Sequence, residues 1–331
     1  LIRDVMSLWV QNLTSIYEKE LSKLSAKCVP MKQKNFEGFG KTSNSPIAGN
    51  TLALISIFLF AAGFPAAEVL LEVWHPITLM FFRLILAVAT LVILWIFMEG
   101  LNQVLNAPWF KGIKIGILGF GIGTNLLLFA QWFTDPVTVA LLATLIPVSA
   151  AILEVWDGRR KLTTKFAGGL IASITGGVIA VSENISIDLG WGVLMALASG
   201  FFYMWASDKS VTKLPEISSI ARSTITFTGA AVFTSFSFVI CFILGFIEIP
   251  NEVTGAQFFS LIIYSVIAMA ISHIFFIIAV DKVGVAITSL HLNFAPFYVM
   301  IILFLLGGAW DLRAIIGASI VAFGVWLAQV K

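Results

Sequence analysis

Few side chains in this sequence are equipped for chemistry, and those that are stand inside long apolar stretches. Glu68, Arg83, Asn125, Tyr203, His273, His291 and Asn293 each interrupt a run of Leu, Ile, Val, Phe, Ala and Gly. An ionisable group in hydrocarbon is costly to keep, so each is a functional candidate by default. Imidazole titrates near neutrality, which makes His273 and His291 either a proton-coupling site or a substrate contact; the plainer alternative is a neutral ring bonded to a neighbouring helix. The amides of Asn125 and Asn293 and the phenol of Tyr203 need partners in apolar surroundings, and a substrate cavity would supply them. The expected substrate-binding set is therefore Asn125, Tyr203, His291 and Asn293. Glu68 and Arg83 fall roughly 8 and 10 Å below the same ends of two adjacent runs. That predicts an ion pair, which either latches those ends or is opened by a charged substrate. Glu154 and Asp208 lie so near the ends of their runs that solvated positions are expected. The apolar runs contain no HExxH, no GxSxG and no pair of carboxylates, so nothing supplies a metal-bound water or an activated nucleophile. The sequence reads as a non-enzyme, with no cofactor and no metal site.

What must position these residues is a set of apolar helices. Hydrophobic residues make up 59% of the chain and charged residues 11%, against about 45–50% and about 25% in soluble domains. That excess has no place in water, so the chain reads as a multi-pass protein of the inner or plasma membrane, with the lipid bilayer as a partner. The formal net charge is only +2, which implies no nucleic-acid footprint. Spans are expected near 50–73, 76–98, 112–133, 137–156 and 163–181, then near 189–207, 218–246, 255–280, 285–306 and 312–330. Each approaches the ~20 residues that cross ~30 Å of hydrocarbon.

The ten spans fall into two copies. DPVTVALLATLIPVSAAILEVWDGRRKLTTKFAGGLIASITGGVIAV, from Asp135, is echoed by DKVGVAITSLHLNFAPFYVMIILFLLGGAWDLRAIIGASIVAFGVW, from Asp281. The offset is 146 at the aspartates (281 − 135) and 149 at Pro147/Pro296 and Gly168/Gly317 (296 − 147, 317 − 168). Each proline is expected near the centre of its helix, at matching depth, where its missing N–H bends the helix and frees a carbonyl to line a cavity. Lys and Arg gather in every second loop, around 2–3, 4–5, 6–7 and 8–9, which places both termini in the cytoplasm. Five spans per copy then invert the second copy relative to the first. The fold class is thus all-α, ten transmembrane helices as two inverted five-helix repeats, over 50–182 and 189–330. Small residues at helical spacing (Gly112, Gly116, Gly119, Gly123; Gly168, Ala172, Gly176; Gly192, Ala196, Gly200) read as packing stripes.

Residues 1–49 differ in kind. They hold seven of the 20 Lys and Arg and no run long enough to span a bilayer. They read as a polar, basic cytoplasmic tail: either a frayed extension upstream of a protein starting at Met31, or a surface-lying amphipathic helix. Cys28 in that tail and Cys241 inside a span are not expected to pair.

With these residues in view, the chain resembles the drug/metabolite transporter superfamily, in particular its EamA-type ten-helix members. HPITLMFFRLILAVATLVIL resembles the second-helix pattern with its arginine, here Arg83. TDPVTVALLATLIPV and VGVAITSLHLNFAPFYV resemble the paired fourth and ninth helices, and GASIVAFGVWLAQ the last. The likeness covers about residues 50–330 and lies in the order and duplication of weak motifs. Many members carry a glutamate at the ends of helices 4 and 9; here Asp157 substitutes in the first and Ala309 stands near the expected place in the second. The resemblance implies secondary transport of small organic metabolites, often amino acids and often outward, by alternating access, as a monomer or homodimer. The rival readings are a passive channel for small polar solutes and an uptake permease for another metabolite class.

Overall fold

A chain this apolar can satisfy its backbone in hydrocarbon only through helices or a closed barrel. In the computed structural model, which describes residues 45–133, 142–181, 191–250, 252–307 and 312–330, every regular element is helical. Most of the expected tail (1–44), Asp135 with the start of the expected fourth span (134–141), the connection leading into the sixth (182–190) and the one at 308–311 lie outside the described residues.

The first expected span is two helices, α1 (Pro46–Ala61) and α2 (Gly63–Leu71), followed by α3 (Pro76–Glu99) and the short α4 (Leu101–Leu105). The third is α5 (Trp109–Ile115), a widened π-helical stretch (Gly116–Gly121) and α6 (Ile122–Phe133). Then come α7 (Ile146–Trp156), α8 (Thr164–Val181), α9 (Trp191–Lys213) and α10 (Ser219–Ile243). The eighth expected span is α11 (Gly255–Ile262), a second π-helical stretch (Ile263–Ile271) and α12 (Ser272–Val283). The ninth is α13 (Val285–Leu290), a 3₁₀ turn (His291–Phe294) and α14 (Ala295–Leu305), and the chain closes with α15 (Leu312–Gln329). Among the described residues, five stretches are long and apolar enough to cross a membrane: Pro46–Leu71, Pro76–Glu99, Ser219–Ile243, Gly255–Val283 and Val285–Leu305. Ile146–Trp156, Thr164–Ile179 and Ile315–Gln329 are apolar but shorter. The protein is a multi-pass membrane protein.

Local irregularities recur at the offset between the two copies. The π-helical stretches begin 147 residues apart (263 − 116). Helices α7 and α14 are each 11 residues long and begin 149 apart (295 − 146). Both carry proline at their second position, which corrects the expectation that Pro147 and Pro296 bend continuous helices. Each opens a new helix instead, after a turn at 144–145 and after the His291–Phe294 turn. The first turn of a helix leaves its N–H groups without intrahelical partners, so a residue lacking that group starts a helix at no cost.

The small-residue stripes bring backbones together. A methyl group at Gly169 would meet Gly324 O and Ala328 N at 2.5 Å, and one at Gly176 would meet Gly317 O at 2.5 Å. As the α8 number rises its α15 partner falls, so these two helices, equivalent in the two copies, run antiparallel. The core has two main clusters. One gathers Leu84, Trp95, Phe120, Phe227 and Met269; the other gathers Ile57, Met204, Ile277, Leu290 and Val321. Tyr203 packs against both.

Candidate functional site

The widened turns place aromatic groups around one histidine. Phe120 comes from the first π-helical stretch, Tyr203 from α9, Phe227 from α10 and His273 from the start of α12. Tyr203 Oη lies 3.3 Å from His273 Nδ1. The His273 ring stacks on Phe227 at 4.1 Å, and Phe120 meets it edge-on at 5.0 Å and meets Tyr203 at 4.8 Å. His273 is buried, and its Nε2 has no hydrogen-bond partner among the described residues.

Arg83 reaches toward the second π-helical stretch. Its Nε donates to the Tyr264 carbonyl at 3.2 Å, and its guanidinium carbon lies 3.7 Å over the Tyr264 ring. A π-helical turn shifts a carbonyl out of the regular ladder, which leaves an acceptor for a neighbouring helix. The expected ion pair with Glu68 does not form. Gly63, Ala66 and Leu70 make the buried stripe of α2. Glu68 lies about 200° round the helix from both Ala66 and Leu70, and its side chain is exposed while Arg83 is buried. Equal depth did not imply equal direction.

Of the other expected binding residues, Asn125 and Asn293 bond across to neighbouring spans, and His291 bonds back along its own. Asn125 Nδ2 donates to Gly121 O at 2.9 Å and to Thr234 Oγ1 at 3.1 Å, tying α6 to α10. His291 Nδ1 donates to Ile287 O at 3.0 Å. Asn293 Nδ2 donates to Thr144 O at 3.4 Å and to Ser173 O and Oγ, each at 3.1 Å; Ser173 Oγ lies 3.3 Å from Leu290 O. Breaking the two spans frees carbonyls, and Asn293 and Ser173 answer them. The structure thus brings Tyr203 to His273, and His291 and Asn293 to a separate neighbourhood against α7 and α8.

At the end of the bundle where α7, α9 and α13 meet, the carboxylates overturn a second expectation. Glu154 and Asp208 are not solvated: they are 2% and 1% exposed. Glu154 Oε1 accepts the Ala286 N–H at 3.0 Å, and its Oε2 pairs with Arg160 Nε. Helix α13 has no capping side chain of its own, so a carboxylate from α7 satisfies its N-terminus and meets its dipole. Gly284 makes room: its φ is +85°, and a methyl group there would strike Glu154 Oε1. The carboxylate used here is therefore Glu154 and not Asp157. The sequence signal was a helix start after Gly284 with nothing local to cap it. Asp208 meets Arg159 at 2.6 Å and Lys209 at 3.1 Å, and Asp157 meets Lys209 at 2.8 Å. The Lys209 hydrogen bond holds the Asp157 carboxyl below its ordinary value.

Residues 47–182 match the EamA-like transporter family. A Bacillus subtilis (strain 168) protein described as "Uncharacterized transporter YyaM" is 26% identical over 289 residues, spanning 84% of this chain and 92% of that protein. A solved structure described as "Crystal structure of protein" shares the fold with a TM-score of 0.73 at 15% identity, covering 86% of this chain and 98% of its own.

Proposed function

We propose, for a chain whose residues 47–182 belong to the EamA-like transporter family and which is a membrane transporter rather than an enzyme, a secondary carrier of small organic metabolites. Amino acids or related compounds are the substrate class, and export across the inner or plasma membrane is the direction. The carrier works by alternating access between two inverted five-helix halves, in a ten-span chain with both termini in the cytoplasm.

The observation that carries this reading is where the broken spans meet. Thr144 and Asn293 are 149 residues apart (293 − 144), the same offset that relates the two prolines, and Asn293 donates to Thr144 O. Equivalent residues touch one another where a pseudo-twofold axis passes between them. The antiparallel packing of α8 on α15 supports an axis in the membrane plane. Such an axis gives two related conformations, one open to each side, with the site between the halves where helices are interrupted. Tyr203, which packs against both core clusters, and His273 are the groups that meet the solute in this reading. Asn125, His291 and Asn293 hold the frame around it. In this reading His273, whose Nε2 has no hydrogen-bond partner among the described residues, exchanges a proton with the solute.

Purified protein in proteoliposomes, loaded with unlabelled amino acids singly and challenged with the labelled compound outside, tests this. The reading expects saturable uptake of at least one compound, accelerated by the same compound inside. Flux that rises linearly with concentration and ignores the inside solute would instead indicate a channel.

A further inference from the structure

Two arginines are buried among the described residues of the bundle, and their surroundings differ. Arg222 is 4% exposed and charge-balanced: its Nε and Nη2 donate to the Leu214 and Pro215 carbonyls at 2.9 and 3.1 Å, and its Nη1 lies at an ion-pair distance of 3.4 Å from Asp281. Arg83, 8% exposed, has no carboxylate within ion-pair distance among the described residues. Its Nε is used by Tyr264 O and one face of its guanidinium by the Tyr264 ring. What remains is the edge carrying Nη1 and Nη2. Neither group bonds a described residue, and neither is sealed from solvent as Arg222 Nη1 is.

An arginine about 10 Å below a helix end could reach the headgroups with its long side chain. This one turns inward to α11–α12 instead, and its charge lies within electrostatic range of the Tyr203 phenol. Tyr203 leads to His273, whose Nε2 has no hydrogen-bond partner among the described residues. A largely buried cation with no balancing charge is unfavourable, and its unbonded edge is where an anion can offset it. The free edge has the shape that donates two parallel hydrogen bonds to one carboxylate. At the corresponding place in the other copy the helices close on each other instead: a methyl group at Gly229 would lie 2.9 Å from the Gly116 Cα. Of these two places, only the Arg83 side carries a charge.

Resting on the carrier reading above, we propose that the transported solute bears a carboxylate, or an oxyanion of the same two-oxygen geometry, which docks on Nη1 and Nη2 of Arg83 while Tyr203 and His273 meet the rest of the same molecule. Amines and neutral amides are then excluded as substrates, because they leave the guanidinium unmatched.

The test compares acids with their own amides. Thermal unfolding of the purified native protein is followed against L-amino acids, benzoate and short monocarboxylates, each beside its carboxamide. At least one acid should raise the melting temperature saturably, and its amide should need about tenfold or more concentration for the same shift, as expected for loss of a charged hydrogen-bond partner. Arg83→Gln should abolish the preference for the acid, and Arg83→Lys, which keeps the charge without the fork, should retain part of it. Equal shifts by acid and amide, or no shift by any acid, would overturn the proposal, as would an acid preference that survives Arg83→Gln. A lipid phosphate resident on Arg83 would show itself as the second of these. The comparison on native protein stands even if the variants do not fold. Proteoliposome flux separates the two claims: saturable transport of amides or amines without any acid effect sinks the carboxylate assignment alone. An acid preference in binding without saturable flux of any compound sinks the carrier reading alone.

Discussion

Asn293 donates its side-chain amide to the main-chain carbonyl of Thr144, at 3.4 Å, across 149 residues of chain. Both stand at breaks in apolar helices, just before the helix opened by Pro296 and by Pro147 respectively. The same amide nitrogen reaches Ser173 on α8, so one side chain joins three helices at the point where the two copies touch.

If that amide is structural, its removal should be felt as lost stability. Asn293→Ala should lower unfolding free energy by about 1–3 kcal/mol, the cost of leaving buried carbonyls unanswered. Ser173→Ala should cost less, because Asn293 keeps Ser173 O and Thr144 O as acceptors and only Leu290 O loses its donor. Thermal unfolding in detergent measures both, and half-saturation for transport should stay unchanged. An Asn293→Ala protein with native melting and weakened substrate affinity would return Asn293 to the binding set.

The Glu154 cap makes a separate prediction at the charged end. Glu154→Gln keeps an acceptor for the Ala286 N–H but loses the charge opposite Arg160, which is 21% exposed and can turn to water. Glu154→Ala loses both and should cost about 1–3 kcal/mol, more than the glutamine variant. Gly284→Ala should cost about 1–3 kcal/mol or more, by backbone strain together with the clash of its methyl group against Glu154. Equal melting of all three variants and the native protein would show that α13 does not depend on this cap.

Close packing of the third and seventh spans rests on Gly116 and Gly229. Gly229→Ala places a methyl group 2.9 Å from the Gly116 Cα. Separating the backbones should destabilise the protein by about 1–3 kcal/mol. Gly245→Ala serves as a contrast, since open space surrounds it and its cost is that of a φ of +72° alone. A Gly229→Ala protein as stable as the native one would mean that the helices part without penalty.

Tyr203→Phe removes the hydroxyl from His273 and little else. About 1 kcal/mol of stability should go with that hydrogen bond, while saturable transport should slow because His273 loses the group that orients it. Unaltered transport with lowered melting would make the Tyr203–His273 pair a structural bond only.

Much of the helical layout was legible because apolar run length and turn residues encode it directly: Pro76–Glu99 and Val285–Leu305 lie within a residue of their expected bounds. Side-chain direction was not legible in the same way. Glu68 and Arg83 share a depth, yet the stripe of Gly63, Ala66 and Leu70 turns Glu68 outward. The π-helical stretches were also hidden, since Gly116–Gly121 and Ile263–Ile271 carry no composition that distinguishes a wide turn from a regular one. With them went the Tyr264 carbonyl that receives Arg83. Proline marked its sites correctly, but whether it kinks a helix or begins one depends on whether Thr144 O finds another donor, and Asn293 supplies it from far along the chain. Glu154 was misplaced because nearness to a span end says nothing about a neighbouring helix start that needs capping.

The central claim is that two halves open alternately to either side. Paired spin labels measure it directly in a protein with Cys28 and Cys241 replaced. One pair is placed at Leu162 and Lys213, the other at Val73 and Ile249, all exposed positions. The first pair lies in connections expected to face the cytoplasm, the second in connections expected to face outside. Adding a transported solute should move the two distances in opposite directions, one end widening as the other narrows. Distances that stay fixed, or that widen together, would contradict alternating access.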